Sequence, residues 1–326
     1  MSYKPFSVKA ALELASPPTW VASIGPCFVA GAFAVTCAVE FAFAGHSALA
    51  SLAVELDWRA ALCWVLMLAC AVLMQSATNT LNDYQDFKSG LDTAETILDE
   101  TDASIVYNQI NPRSALLFAL GLLAVAAVLG VIVALLSSFW LIAWGVAAAA
   151  IVALYSAGPK PISSLPLGEV VSGVVMGGII TCATFYAMTL SFSAVVAALA
   201  VVPIVAIAQI MQTNNTCDIE RDLAVGRKTM PGIVGARSSA VLNTALCIFA
   251  FLWLIVLLAW IGLYAGIIVA ALGFLLCLPR INVLLKGSYN LESRRVMMGT
   301  IVSYNRGLTV TAMAALLAGG VFSVVF

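Results

Sequence analysis

The stretch "WRAALCWVLMLACAVLMQSATNTLNDYQDFKSGLDT", residues 58 to 93, opens as a largely apolar run and closes on Asp83, Asp86 and Asp92. A hydrocarbon layer about 30 Å thick takes roughly 20 apolar residues of helix, so this run reads as one membrane span. Moving outward, windows of the same kind lie at 17–39, 58–82, 114–136, 138–157, 167–190, 194–214, 238–261, 262–284 and 303–325. The apolar residues fill these windows instead of alternating with period two, which selects helices over a transmembrane barrel. The expectation is an all-α polytopic membrane protein of about nine transmembrane helices, forming a single domain over residues 1–326.

Composition agrees. The chain is 63% hydrophobic and only 10% charged, with a mean hydropathy of +1.06, far from the usual soluble domain. The opening "MSYKPFSVKAALELASPPTW" is not read as a signal peptide, because the apolar run behind it is full length and lacks a cleavage site. The net charge of −1 says nothing about partners, but the placement of the cations does. With nine helices and a cytosolic N-terminus, Lys4, Lys9, Lys88, Arg113, Lys160, Arg221, Arg227, Lys228, Arg237, Arg280, Lys286, Arg294 and Arg295 fall on the cytosolic side, and Arg59 opposite. Arg306, near the start of the last helix, can snorkel to the cytosolic interface. This asymmetry supports both helix count and orientation, and the expectation is a multi-pass protein of the cell membrane with its N-terminus in the cytosol.

Several chemistries are excluded. The eight cysteines form no CxxC, and all but Cys217 lie in the apolar windows, as small packing residues do. His46, the single histidine, lies in an external loop, which leaves little room for histidine acid or base catalysis. Neither a nucleic-acid-binding patch, a Rossmann glycine signature nor a nucleophile triad occurs.

The acids at the end of the second window have a counterpart. "QTNNTCDIERDLAVGRKT", residues 212–229, ends the sixth window on the same face of the membrane. If the helices continue, Asn79, Asn82, Asp83 and Asp86 share one face, and Asn214, Asp218 and Asp222 share another. Asn82-x3-Asp86 and Asn214-x3-Asp218 read as one device used twice, consistent with a weak duplication of helices 1–4 and 5–8. Carboxylates crowded at a membrane interface repel one another unless a cation compensates. Mg²⁺ takes oxygen ligands and is commonly held by one or two carboxylates together with substrate phosphates. Two acid-plus-amide faces aimed at one cavity therefore suit a diphosphate, with Lys88, Lys160, Arg227 and Lys228 to neutralise phosphate oxygens. "YSAGPKPISSLPLGE", residues 155–169, places Tyr155 and Lys160 on that face in a rigid turn. Tyr155 reads equally as an interfacial belt aromatic.

A cation or metabolite transporter is the reading of another class, since polar clusters can line an ion path. Such groups usually sit near the bilayer midplane, whereas these acids sit at helix ends. The Asp-Gly…Ala-Arg signature of CDP-alcohol phosphotransferases is absent.

"NDYQDFKSGLD" and "NNTCDIERDLAVGRKT", with "YSAGPKP" and "LGE" between them, resemble the UbiA superfamily of intramembrane prenyltransferases. Within it the pattern is similar to the 1,4-dihydroxy-2-naphthoate polyprenyltransferases of menaquinone synthesis. There the third acid of the first motif comes two positions later than elsewhere, as Asp92 does here with Gly90 in the usual place. "SIGPCFVAG" at 23–31 is similar to that branch's first helix. The resemblance implies a nine-helix bundle around a central chamber opening to the cytosol. It also implies a polyprenyl diphosphate donor, an aromatic acceptor and Mg²⁺. Matched residue by residue, it implies Asn82, Asp86, Asp92, Asn214, Asp218 and Asp222 as metal ligands, Lys228 on the diphosphate, and Tyr155 at the reacting centre. Asp83, beside the first motif, is expected to bind metal or orient the acceptor. With 4-hydroxybenzoate, haem or a lipid as acceptor, the reaction would be the same. Two departures stand out: Cys217 occupies a position where the branch usually has Arg, and no basic residue lies between Lys88 and Arg113. That loop carries Glu95, Asp99, Glu100 and Asp102 instead.

Overall fold

The computed structural model describes residues 3–44, 49, 52–90, 103–156 and 161–325. Among these the chain is all helical, its only strand-like pairing an isolated bridge between Lys4 and Ile110. A short amphipathic helix α1 (Val8–Ala15), capped by the Ser7 hydroxyl, precedes the first span α2 (Val21–Val39). Then follow α3 (Trp58–Ser89), the one-turn α4 (Ser104–Tyr107), α5 (Pro112–Leu136) and α6 (Trp140–Ser156). The next span is α7 (Gly168–Ser172), a π-helical segment (Gly173–Ile179) and α8 (Ile180–Thr189) in one continuous rod. After α9 (Ala194–Cys217) come the short α10 (Ile219–Ala224) and α11 (Met230–Val234), then α12 (Ala236–Trp260), α13 (Tyr264–Lys286) and α14 (Arg294–Val325).

Eight of these rods are long and apolar enough to cross a membrane, and α6, at 17 residues, adds a ninth at the short end of the workable range. The windows read from the sequence are met, with one systematic difference. On the face that carries the acidic motifs the helices run beyond their apolar stretch: α3 by seven residues past 82, and α14 starting nine residues before 303. Hydropathy stops where polar side chains begin, but the hydrogen-bond ladder does not. Gly90, in the left-handed region at φ 77°, stops α3 by returning its amide to Asp86 and Phe87.

The spans close into a bundle. α3 packs on α5, α5 on α6, α9 on α12, α12 on α13, α13 on α14, and α14 returns to α2. α2 packs on α3, α8, α9 and α14, which is why it buries small residues such as Ala30, Gly31 and Ala34 together with Phe33. Hydroxyl groups inside the spans satisfy themselves on their own helix, as Ser76, Thr78 and Thr80 do on carbonyls four residues back. The α1–α2 corner is fixed to α3 by two amides: Asn79 donates to the Ala15 carbonyl and the Thr19 hydroxyl, and Gln75 accepts from Ser23.

Candidate functional site

The first acidic cluster ends α3. Because the helix is unbroken to Ser89, Asn82, Asp83 and Asp86 keep the shared face that their spacing predicts, and all three are half-buried. Asn79, one turn earlier, is taken up by the α1–α2 corner. Lys88 is exposed. Asp92, expected as the third acid, lies outside the described residues, as do Lys160, His46, Gly158, Pro159 and the acids Glu95, Asp99, Glu100 and Asp102. With Gly90 ending the helix, Asp92 comes after the point at which helical spacing applies.

The second cluster departs from a straight helix. α9 ends at Cys217, and Asp218 has the dihedrals of a cap (φ −100°, ψ 11°), so the chain bends there before α10. Main-chain bonds from Asp218 N to Asn214 O (3.1 Å) and from Asp222 N to Asp218 O (2.8 Å) nevertheless hold the four-residue register. Asp218 and Asp222 are both buried, and each has an arginine. Arg294, the first residue of α14, donates from Nη2 to Asn214 Oδ1 at 2.8 Å and sets Nε 3.3 Å from Asp218 Oδ1. Asn214 Nδ2 donates to the other carboxylate oxygen at 3.1 Å. Arg227 Nη1 lies 3.4 Å from Asp222 Oδ1, and the Thr229 hydroxyl donates to Oδ2 at 3.4 Å. Burial lifts the Asp222 carboxyl above the ordinary carboxylate range, against the pull of Arg227 and Thr229. A carboxylate so desolvated favours any additional cation.

The turn between α6 and α7 is fastened to this cluster. Lys228 N donates to Ser164 O at 3.0 Å, and Arg227 Nη2 reaches Ser163 O at 3.4 Å, while the Lys228 side chain is exposed. Glu169, on the first turn of α7, is buried and accepts from Asn215 Nδ2 at 2.8 Å. Its Oε2 has no hydrogen-bond partner among the described residues. Arg294, Glu169 and Asn215 join this cluster, and sequence reasoning missed them. Arg294 was counted only as a cytosolic charge, 80 residues from Asn214. For Glu169 a signal existed, an acid opening an apolar window inside the quoted "LGE".

A chamber of about 220 Å³ opens between α3, α5, α6 and the α7–α8 rod. Its deep wall is apolar, with Met67, Trp144, Ala148 and Ala183, and its mouth is polar, with Gln75, Asn79, Asn82 and Tyr155. Met211, one turn before Asn214 and Asn215, closes it from α9, so both acidic clusters border the same end. The π-helical segment supplies Val175, Met176 and Ile179 to the wall, its wider turn re-aiming side chains that a regular helix would carry elsewhere. Tyr155 reaches the start of α7, where a Cβ on Gly168 would stand 3.6 Å from its hydroxyl. Among the described residues no three His, Cys, Asp or Glu side chains are grouped closely enough to hold a metal ion. The oxygen donors instead form two separate half-sites at one mouth.

Comparison with known proteins gives consistent results. A family model described as the UbiA prenyltransferase family matches residues 38–301. A 1,4-dihydroxy-2-naphthoate octaprenyltransferase of Mycobacterium tuberculosis is 30% identical over 261 residues, 79% of this chain and 85% of that protein. Its Bacillus subtilis namesake is 34% identical over 194 residues, 60% of this chain, and the match spans 62% of that relative's length, less than two thirds. Among solved structures, a UbiA homolog from Archaeoglobus fulgidus bound to GPP and Mg²⁺ shares the fold, with a TM-score of 0.61 at 16% identity, covering 94% of this chain and 99% of that one.

Proposed function

Since the chain belongs to the UbiA prenyltransferase family, we propose that it transfers a polyprenyl group from polyprenyl diphosphate to 1,4-dihydroxy-2-naphthoate, with loss of CO₂. The supporting observation is the chamber, apolar at depth and ending at Asn82 of the first acidic cluster. A donor with a hydrocarbon tail and a diphosphate head needs such a gradient. The naphthoate acceptor rests on the two bacterial relatives of that name.

The residues present fit Mg²⁺: the donor set is all oxygen, and the second half-site buries two carboxylates that require positive charge. Asn82, Asp86, Asp92, Asn214, Asp218 and Asp222 would hold it together with oxygens of the diphosphate. When bound, Mg²⁺ supplies neutralisation of the charge that develops on the departing diphosphate. Arg227, Lys228, Lys88 and Lys160 add direct contacts to its oxygens. The allylic C–O bond breaks with its electron pair going to the diphosphate. The apolar wall keeps water from the resulting cation, and Tyr155, at the polar end of that wall, faces it. Asp83 orients the acceptor, whose electron-rich ring attacks to form a C–C bond. The ring carboxylate then departs as CO₂, returning its bonding pair to the ring. The excess of cations on the motif side supports a cytosolic orientation for this mouth.

The test incubates purified protein in lipid with Mg²⁺, geranylgeranyl or longer prenyl diphosphate, and either 1,4-dihydroxy-2-naphthoate or 4-hydroxybenzoate. Products are read by mass spectrometry against an EDTA control. A Mg²⁺-dependent prenylated, decarboxylated naphthol is expected; product from 4-hydroxybenzoate alone would overturn the acceptor, and no product from either would overturn the reaction.

The chamber carries its own prediction. Gly145 lines it, and a Cβ there would meet nothing within 4 Å, so Gly145→Phe adds a ring to open space without disturbing the backbone. Turnover with long prenyl donors is expected to fall about tenfold, roughly the effect of two displaced methylenes, while a five- or ten-carbon donor is largely unaffected. Equal loss for all chain lengths would remove the tail from this chamber.

A further inference from the structure

We propose that Arg294 is an exchangeable counter-ion: it occupies the second acidic half-site until metal and diphosphate arrive, then gives up those oxygens and binds the diphosphate. This rests on the metal-diphosphate reading above and goes beyond it by coupling the two ligands through one side chain.

The guanidinium engages the oxygens that a cation would need. Nη2 is bonded to Asn214 Oδ1, and Nε stands beside Asp218 Oδ1, while Asn214 Nδ2 holds the second Asp218 oxygen. Asp218 is 7% exposed, and a carboxylate so enclosed needs a compensating charge whenever metal is absent. Arg294 provides it from the first turn of α14, where the positive end of a 32-residue helix adds to the effect.

The same contact works against metal alone. A guanidinium and a divalent cation drawn to the same oxygens repel one another, so a bare ion binds against the charge of Arg294 or displaces it from Asn214 and Asp218. When the ion carries diphosphate, the displaced guanidinium finds phosphate oxygens that match its planar fork. Metal and diphosphate therefore strengthen each other's binding, and the coupling is reciprocal.

The architecture confines the exchange to the side chain. The α14 backbone is pinned along α13, where a Cβ on Gly287 would lie 2.7 Å from Met297 Sδ and one on Gly307 would lie 2.9 Å from Cys277 Sγ. Met297 and Ile301, the next residues inward on α14, are fully packed, whereas the Arg294 side chain is 23% exposed and has room to swing.

The test measures Mn²⁺ binding by electron paramagnetic resonance, with and without inorganic pyrophosphate, in the full-length protein in detergent. Wild type is expected to bind Mn²⁺ weakly alone and about tenfold more tightly with pyrophosphate. Arg294→Gln is expected to bind Mn²⁺ alone several-fold more tightly and to lose most of the pyrophosphate effect. A residue that merely supports the fold would weaken both. Arg294→Lys, which keeps the charge but loses the fork, is expected to lie between, and it serves as the readout if the Gln variant elutes aggregated. Arg295→Gln, an exposed neighbour, is expected to match wild type. Unchanged coupling in Arg294→Gln and Arg294→Lys, or weakening of both affinities, would overturn the role of Arg294 while leaving the metal-diphosphate reading intact. No Mn²⁺ binding by wild type even with pyrophosphate would overturn that reading, and this inference with it.

Discussion

Asp218→Asn is expected to lower prenyl transfer about a hundredfold, the scale of removing one preorganised electrostatic stabiliser. The substitution preserves size and one hydrogen-bonding oxygen, so packing at the end of α9 is retained. What it removes is the charge that sits between Arg294 and Asn214. The effect is expected mainly in kcat, because charge on the departing diphosphate develops as the allylic bond breaks, and the Mg²⁺ concentration giving half-maximal rate should rise. Initial rates across a Mg²⁺ titration measure both. Turnover within about threefold of wild type at saturating Mg²⁺ would take Asp218 out of the metal set.

The second large effect is structural. Gly177→Val is expected to abolish the folded protein, seen as loss of the monodisperse peak in size-exclusion chromatography. Gly173 and Gly177, four residues apart, form the face of the π-helical segment that lies against α9. A Cβ on Gly173 would lie 2.5 Å from the Ile204 carbonyl oxygen, and one on Gly177 would meet the Ile204 amide and the Pro203 carbonyl. These are backbone atoms of a rigid helix and cannot rotate away as a side chain can. Ordinary overpacking costs about 1–3 kcal/mol; here two spans would have to separate, and with them the chamber wall formed by Val175, Met176 and Ile179. A Gly177→Val protein that folds and turns over normally would mean that this contact does not hold α7–α8 to α9.

Helix number, helix order and the register of the two acidic clusters were legible in the sequence because each rests on local pattern: apolar runs long enough to span, and amides and acids spaced four apart. The helix ends on the motif face were not, since hydropathy falls before α3 ends at Ser89 and rises only after α14 has begun at Arg294. The bend at Asp218 was missed for a related reason: the capping residue keeps the four-residue spacing while the axis changes direction. Arg294 and Glu169 were hidden by distance along the chain. Their partners Asn214, Asp218 and Asn215 come from another helix, and periodicity within one segment carries no information about which segment will face it. Gly90 shows the reverse, a local signal with a structural cause: where the general pattern has an acid, this chain has the residue that ends the helix at positive φ.

The bond from the Lys228 amide to the Ser164 carbonyl joins two loops whose sequences never meet. One follows the second acidic cluster and carries the cations proposed for the head group; the other runs through Gly168 into the rod that walls the chamber. Stitched main chain to main chain, they behave as a single floor. The position of the cations proposed for the head group is thereby tied to the start of the rod that walls the chamber, so a change in either loop is expected to disturb both ends of the site.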